Sequence, residues 1–66
     1  MKVHVNGDEV EVAAGATVDD LLRQLGLGAR WVLVERNGVP VPRDAMATTA
    51  LAAADRLELV RAVAGG

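Results

Sequence analysis

The group best placed to react in this chain is its last one. The sequence ends Ala64-Gly65-Gly66, so the carboxylate of Gly66 is expected at the end of a segment almost free of side chains. Two glycines remove bulk beside the reacting carbon and allow backbone angles closed to other residues. Extended, Ala64 to Gly66 reach roughly 10 Å beyond a preceding strand, enough to thread a narrow channel in another protein. A carboxylate becomes an electrophile only when one oxygen is made a good leaving group, so such a tail suits a substrate rather than a catalyst. The bland alternative is an inert glycine-rich tail.

Other candidates are weaker. There is no cysteine, hence no disulfide, thiolate metal site or cysteine nucleophile. His4, the lone histidine, alternates outward on a strand, which fits a solvated residue better than a general base. Asp19 and Asp20 suit the positive end of a helix, and no catalytic carboxylate pair is evident. Asn6-Gly7 and Asn37-Gly38 read as turns rather than phosphate loops. Val60 and Ala62 fall opposite Leu57 and Leu59 on the last strand, where polar residues are expected. Either they form part of a docking patch with Arg61 beside them, or a bulge returns them to the core. For Arg61 itself, a solvated charge is the default.

The elements that must position the tail follow from local pattern. Met1 to Val5 alternates apolar and polar residues, Asn6-Gly7 turns the chain, and Val10 and Val12 resume the alternation, which predicts a β-hairpin. Thr17 reads as an N-cap whose hydroxyl accepts from the amide of Asp20. Val18, Leu21, Leu22 and Leu25 then recur at helical spacing until Gly26 supplies a stop. Trp31 to Arg36 is rich in β-branched residues and ends at Asn37-Gly38, a second hairpin. Val39-Pro40-Val41 continues it as a short strand, and Pro40, lacking an amide donor, implies an edge. Arg43 to Ala54 is alanine-rich with room for one helical turn. A final strand runs from Leu57 toward Val63. One helix covers one face of a mixed sheet, and the last strand enters the middle beside the first: an α+β chain with the β-grasp order of ubiquitin.

Composition bounds the function. A chain of 66 residues is one domain, and at that size it buries about 60% of its unfolded surface, leaving little core to give up to a deep cofactor pocket. A self-sufficient enzyme is therefore not expected. The formal charge is −2, the basic residues are scattered and Trp31 is the only aromatic residue, so nucleic-acid binding is not expected. No membrane span or signal peptide is evident, and a soluble, cytoplasmic protein is the default expectation.

The residues also resemble a known family across nearly the whole chain. Val5-Asn6-Gly7, Gly15-Ala16-Thr17-Val18, Leu21-Leu22, Asn37-Gly38-Val39-Pro40-Val41-Pro42-Arg43 and Arg61-Ala62-Val63-Ala64-Gly65-Gly66 are similar, in order and spacing, to the thiamine-biosynthesis sulfur carriers (ThiS family). Two positions depart from the family's pattern. An acidic-Gly-Asp turn often precedes its final strand, where Ala53-Ala54-Asp55 stands here, and a Trp often follows its Pro-Arg pair by three residues, where Met46 stands here.

The resemblance implies a single β-grasp domain over residues 1–66 with a flexible tail from about residue 63. It implies a protein co-substrate that binds no cofactor itself. A ThiF-like activating enzyme spends ATP to adenylate Gly66, a sulfur donor protein converts the acyl-adenylate to a thiocarboxylate, and a ThiG-like thiazole synthase takes the sulfur. Gly65 and Ala64 would thread the partner's channel, and a docking patch of Val60, Ala62 and Arg61, the one of the two readings above that leaves them outward, would meet the activating enzyme or the synthase. The alternatives are the same chemistry feeding a molybdopterin or cysteine pathway, a ubiquitin-like modifier joined to lysines, and a β-grasp binding module with an inert tail.

Overall fold

The Asn6-Gly7 turn places both residues at positive φ, 48° and 89°, as a two-residue loop between right-twisted strands requires. It joins β1 (Lys2–Val5) to β2 (Asp8–Glu11) in antiparallel register, Val5 opposite Asp8 and Lys2 opposite Glu11. The computed structural model describes residues 1–61.

The helix α1 (Val18–Gln24) opens on a reciprocal cap. The Asp20 amide donates to the Thr17 hydroxyl at 3.2 Å, and the Thr17 amide donates to the Asp20 carboxylate at 2.9 Å. The bonds from Thr17, backbone first, hold the Asp20 carboxyl below its ordinary pKa. Val18, Leu21 and Leu22 are buried. Leu25, expected on the same stripe, falls at the C-cap and stays 37% exposed, with Gly26 at φ 73° turning the chain away.

A 3₁₀ turn, Ala29–Trp31, precedes β3 (Val32–Arg36), so the strand starts one residue later than expected. Asn37-Gly38 then leads into β4 (Val39–Pro40), which lies at the sheet edge, where the missing amide of Pro40 breaks no further ladder. The link to the last strand contains a second 3₁₀ turn, Arg43–Ala45, and crosses the start of α1. There the Val18 amide donates to the Thr49 carbonyl and the Leu51 amide to that of Ala16. Met46 and Leu51 drop from this link into the core. Met46 is 3% exposed there, and its unbranched thioether adapts to an irregular gap.

The last strand, β5 (Arg56–Arg61), lies in the middle of the sheet. Among the described residues the strand order is β2-β1-β5-β3-β4, with β5 parallel to β1 and antiparallel to β3. Val3, Val5, Val32, Val34 and Leu57 meet α1 in one apolar cluster, so the helix covers one face. This is the β-grasp arrangement.

Entry into β5 depends on two residues. Ala54 adopts φ 67°, the left-handed conformation usual for glycine, while its amide donates to the Lys2 carbonyl at 2.8 Å. Asp55 is the one buried charged residue among those described. Its carboxylate accepts from Arg36 Nε at 2.7 Å, Asn37 Nδ2 at 3.0 Å and the Ala52 amide at 2.8 Å. Burial alone would raise its pKa, but the bonds from Arg36, Ala52 and Asn37 together outweigh it, and the carboxyl sits below its ordinary value.

Two predictions follow from these residues. Replacing Ala54 by Gly relieves the left-handed strain at a smaller cost in unfolded-chain entropy, a net gain of about 0.5–1 kcal/mol. Urea unfolding should show a higher midpoint, and an unchanged or lower midpoint would refute the strain. Asp55→Asn turns an amide NH₂ toward donors and should cost roughly 2–3 kcal/mol at neutral pH. Because folding lowers this pKa, the contribution of Asp55 is whole above the ordinary carboxylate range near ~4 and is lost as pH falls through its lower folded value. The stability gap between the two proteins should therefore narrow in acid. A gap independent of pH would mean that the charge is not what matters.

Candidate functional site

The predicted tail residues Ala62, Ala64, Gly65 and Gly66 lie outside the described residues. What the structure describes is the root from which they continue, Val60 and Arg61 at the end of β5. The β3–β5 register runs Arg36↔Leu57, Glu35↔Glu58, Val34↔Leu59, Leu33↔Val60 and Val32↔Arg61 without a break. A bulge at Val60, one of the two expectations, is thereby excluded. Leu57 is fully buried and Leu59 packs against the core, so Val60 falls on the face turned away from α1. There it stands beside Leu33, and the two are 59% and 61% exposed.

Leu33 was not singled out by the sequence pattern. The signal was present in the uninterrupted run Trp31-Val32-Leu33-Val34, which is apolar on both strand faces where a half-covered sheet needs apolar residues on one. The next cross-strand pair on that outer face, Glu35 and Glu58, is exposed and acidic. Like charges directly opposite repel one another, so the apolar pair is bordered by a spot of negative potential. His4, partly buried near Arg56 and Glu58, also lies at this sheet surface.

Arg61 alternates to the other side. It is exposed and lines a surface depression with Leu59, Leu25, Leu27, Asn6 and Asp8. Trp31, just before β3, is half exposed, with the Arg30 guanidinium 5.9 Å from its ring centroid. Because β3 begins where β5 ends, Trp31, Leu33, Val60 and Arg61 gather at the end of the sheet from which the chain continues toward Gly66. Leu33 and Val60 share the outer face there, while Arg61 stands on the side of α1.

Two further features bear on chemistry. Among the described residues, no group of three or more His, Asp or Glu residues is arranged to hold a metal ion. Among the same residues, no helix is long and apolar enough to cross a membrane.

The root of β5 also draws support from a turn. Asn6 Oδ1 accepts from the Leu59 amide at 2.8 Å, and Asn6 Nδ2 donates to the Leu59 carbonyl at 3.1 Å. In the second hairpin, Asn37 Oδ1 accepts from the Arg56 amide at 2.9 Å. Both turn asparagines therefore hold the backbone of β5, a role that dipeptide pattern alone does not reveal.

Known proteins share this arrangement. A thiamine biosynthesis protein (ThiS) from Geobacter metallireducens, in its crystal structure, superposes with a TM-score of 0.84 at 33% identity, covering 100% of both chains. SAMP1 from Haloferax volcanii superposes with a TM-score of 0.62 at 26% identity, covering 98% of this chain and 97% of that one. A thiazole synthase of Paramagnetospirillum magneticum is 42% identical over all 66 residues, which make up 20% of that protein. A thiazole synthase of Magnetococcus marinus is 38% identical over the same span and share. The chain thus spans about a fifth of the length of the curated relatives it matches. The ThiS family model matches residues 3–66, nearly the whole sequence including the diglycine, and the chain belongs to the ThiS family.

Proposed function

We propose that this chain is a sulfur carrier protein of thiamine biosynthesis whose working group is the Gly66 carboxylate. A ThiF-like activating enzyme brings ATP; the carboxylate attacks the α-phosphorus and pyrophosphate leaves. A sulfur donor protein then delivers sulfur at the oxidation level of sulfide; the carbon–sulfur bond forms as the acyl–phosphate bond breaks, leaving a thiocarboxylate and AMP. A ThiG-like thiazole synthase takes up that sulfur. The carrier supplies no catalytic side chain, and ATP belongs to its partner.

The observation that carries this reading is the ThiS family match over residues 3–66, which extends through Gly65 and Gly66. The synthase as acceptor is supported by the thiazole synthases that contain a segment similar to the whole of this chain within a longer polypeptide. Two partners sharing one polypeptide gain a high effective concentration for transfer between them.

Docking is assigned to the outer sheet face around Leu33 and Val60, with Arg61 on the opposite side of the same strand end. An exposed pair of aliphatic side chains can be desolvated at little cost. The bordering Glu35 and Glu58 favour a partner that presents a basic residue beside its apolar surface.

The chemistry is tested by intact-protein mass spectrometry after incubation with ATP, the host's activating enzyme and a sulfur source. The expected gain corresponds to one oxygen replaced by sulfur at Gly66, and it should be lost on deleting Gly65-Gly66. Unchanged mass, with the enzyme active on a control carrier, would favour a modifier or an inert-tailed binding module. The docking face is tested by Leu33→Thr with Val60→Thr, which keep strand-forming side chains and add no charge. The double variant should keep its unfolding free energy within about 1 kcal/mol, since both side chains are solvent-facing, and weaken binding to the activating enzyme at least about tenfold. Wild-type affinity would remove this face from the interface.

A further inference from the structure

We propose that Asn37 is a site of spontaneous deamidation, held closed in the folded chain by Asp55 and Arg56, and that its conversion to aspartate breaks the anchor of the last strand. The proposal is independent of the carrier reading. In an Asn-Gly pair the glycine amide nitrogen can attack the asparagine Cγ, because no Cβ stands beside that nitrogen. The new nitrogen–carbon bond forms as the side-chain nitrogen leaves as ammonia, closing a five-membered imide. Water then opens the ring at one carbonyl to give aspartate, or at the other to give isoaspartate. The net change is one amide and one water to one carboxylate and one ammonium ion, with no oxidant and no catalyst.

The chain has two such pairs, Asn6-Gly7 and Asn37-Gly38. At Gly38, φ is 83° and an added Cβ would meet nothing within 4 Å, so the turn and not packing requires the glycine. The two carboxamides are held differently. Asn37 Oδ1 accepts from the Arg56 amide at 2.9 Å, and its Nδ2 donates to the Asp55 carboxylate at 3.0 Å. Its main-chain amide donates to the Arg56 carbonyl at 2.7 Å. Both side-chain bonds of Asn6 go to the main chain of Leu59, at the solvent surface. A bond to a buried carboxylate is roughly twice as strong as one between neutral groups. Cγ can turn toward the glycine nitrogen only when both side-chain bonds are released, so the folded chain reacts through local opening. Asn37 opens more rarely than Asn6.

The products also differ in what they meet. Aspartate at position 37 replaces a donor with a second carboxylate, on the atom position 3.0 Å from Asp55 Oδ1. Two carboxylates so close oppose each other's ionised form. Asp55 loses one of the three donors that hold it at the entry to β5. Isoaspartate adds a methylene to the main chain of the turn as well. At Asn6 an aspartate faces the Leu59 carbonyl, a dipole rather than a charge. Opening at Asn37 is thus reversible until ammonia leaves and permanent afterwards.

The test holds the full chain in mildly alkaline buffer, folded and in urea, and locates each conversion by peptide mapping and mass spectrometry. In urea the two sites should react within about threefold of each other, and folding should slow Asn37 about tenfold or more, and more than Asn6. Asp55→Ala should speed Asn37 in folded protein by a larger factor than Asn6, whose rate reports any global unfolding. If Asp55→Ala does not fold, the ratio of the two sites in folded wild type decides. Asn37→Asp should unfold at lower urea than both wild type and Asn6→Asp. Asn37 reacting in the folded chain as fast as in urea, or as fast as Asn6, overturns the guarding role, as does equal acceleration of both sites in folded Asp55→Ala. An Asn37→Asp chain as stable as wild type overturns the damage to the anchor.

Discussion

The carboxylate of Asp55 is the interaction on which the rest of the sheet depends. β5 comes last in sequence yet lies in the middle of the sheet, so it must enter between β1 and β3 in a single register. Asp55, immediately before it, gathers Arg36 from the end of β3, Asn37 from the β3–β4 turn and the Ala52 amide from its own loop. Its carbonyl accepts from the His4 amide of β1 at 2.8 Å. One residue thus ties the incoming strand to both neighbours. A buried carboxylate is costly unless several donors meet it, and here they outweigh burial enough to hold its pKa down.

The register set at Asp55 determines the surface at the other end of the strand. Side chains alternate with period two, so a slip by one residue would carry Val60 inward and Leu59 outward. The face around Leu33 and Val60 is therefore specified five residues away from Val60, by a knot that it does not touch. The two turn asparagines reinforce the same strand, Asn37 at Arg56 and Asn6 at Leu59. In a chain with so small a core, side-chain amides supply alignment that a larger protein would obtain from longer ladders.

This division explains what was legible in the sequence. Both hairpins, the Thr17 cap and the stop at Gly26 are local, each written in residues close enough to read together. The edge position of Pro40 was readable because a missing donor restricts where a strand can sit. The role of Asp55 was not, because its side-chain donors from β3 and the following turn stand 18 and 19 residues away and nothing about an aspartate after alanines announces burial. Leu25 ended half outside because a helical stripe says which residues share a side, not how far the core extends. At Val60 periodicity left a bulge and an outward apolar residue equally open, and only pairing with Leu33 decided between them. The tail was legible in another way: no local rule distinguishes a working diglycine from an inert one, and its reading came from resemblance along the entire chain.

On the proposed function, the modest size of the exposed apolar face is itself an argument. A carrier must meet an activating enzyme, a sulfur donor and an acceptor in turn, and must leave each of them. A broad hydrophobic interface would bind the first partner too long, whereas transient encounters bury the smaller areas of known interfaces. Two aliphatic side chains beside an acidic pair suit that need, because charge hastens encounter more than it prolongs residence. Which side chains such a partner meets then depends on the register of the last strand. A central strand, held at its entry by Asp55 and at Leu59 by Asn6, fixes which of its side chains reach that face.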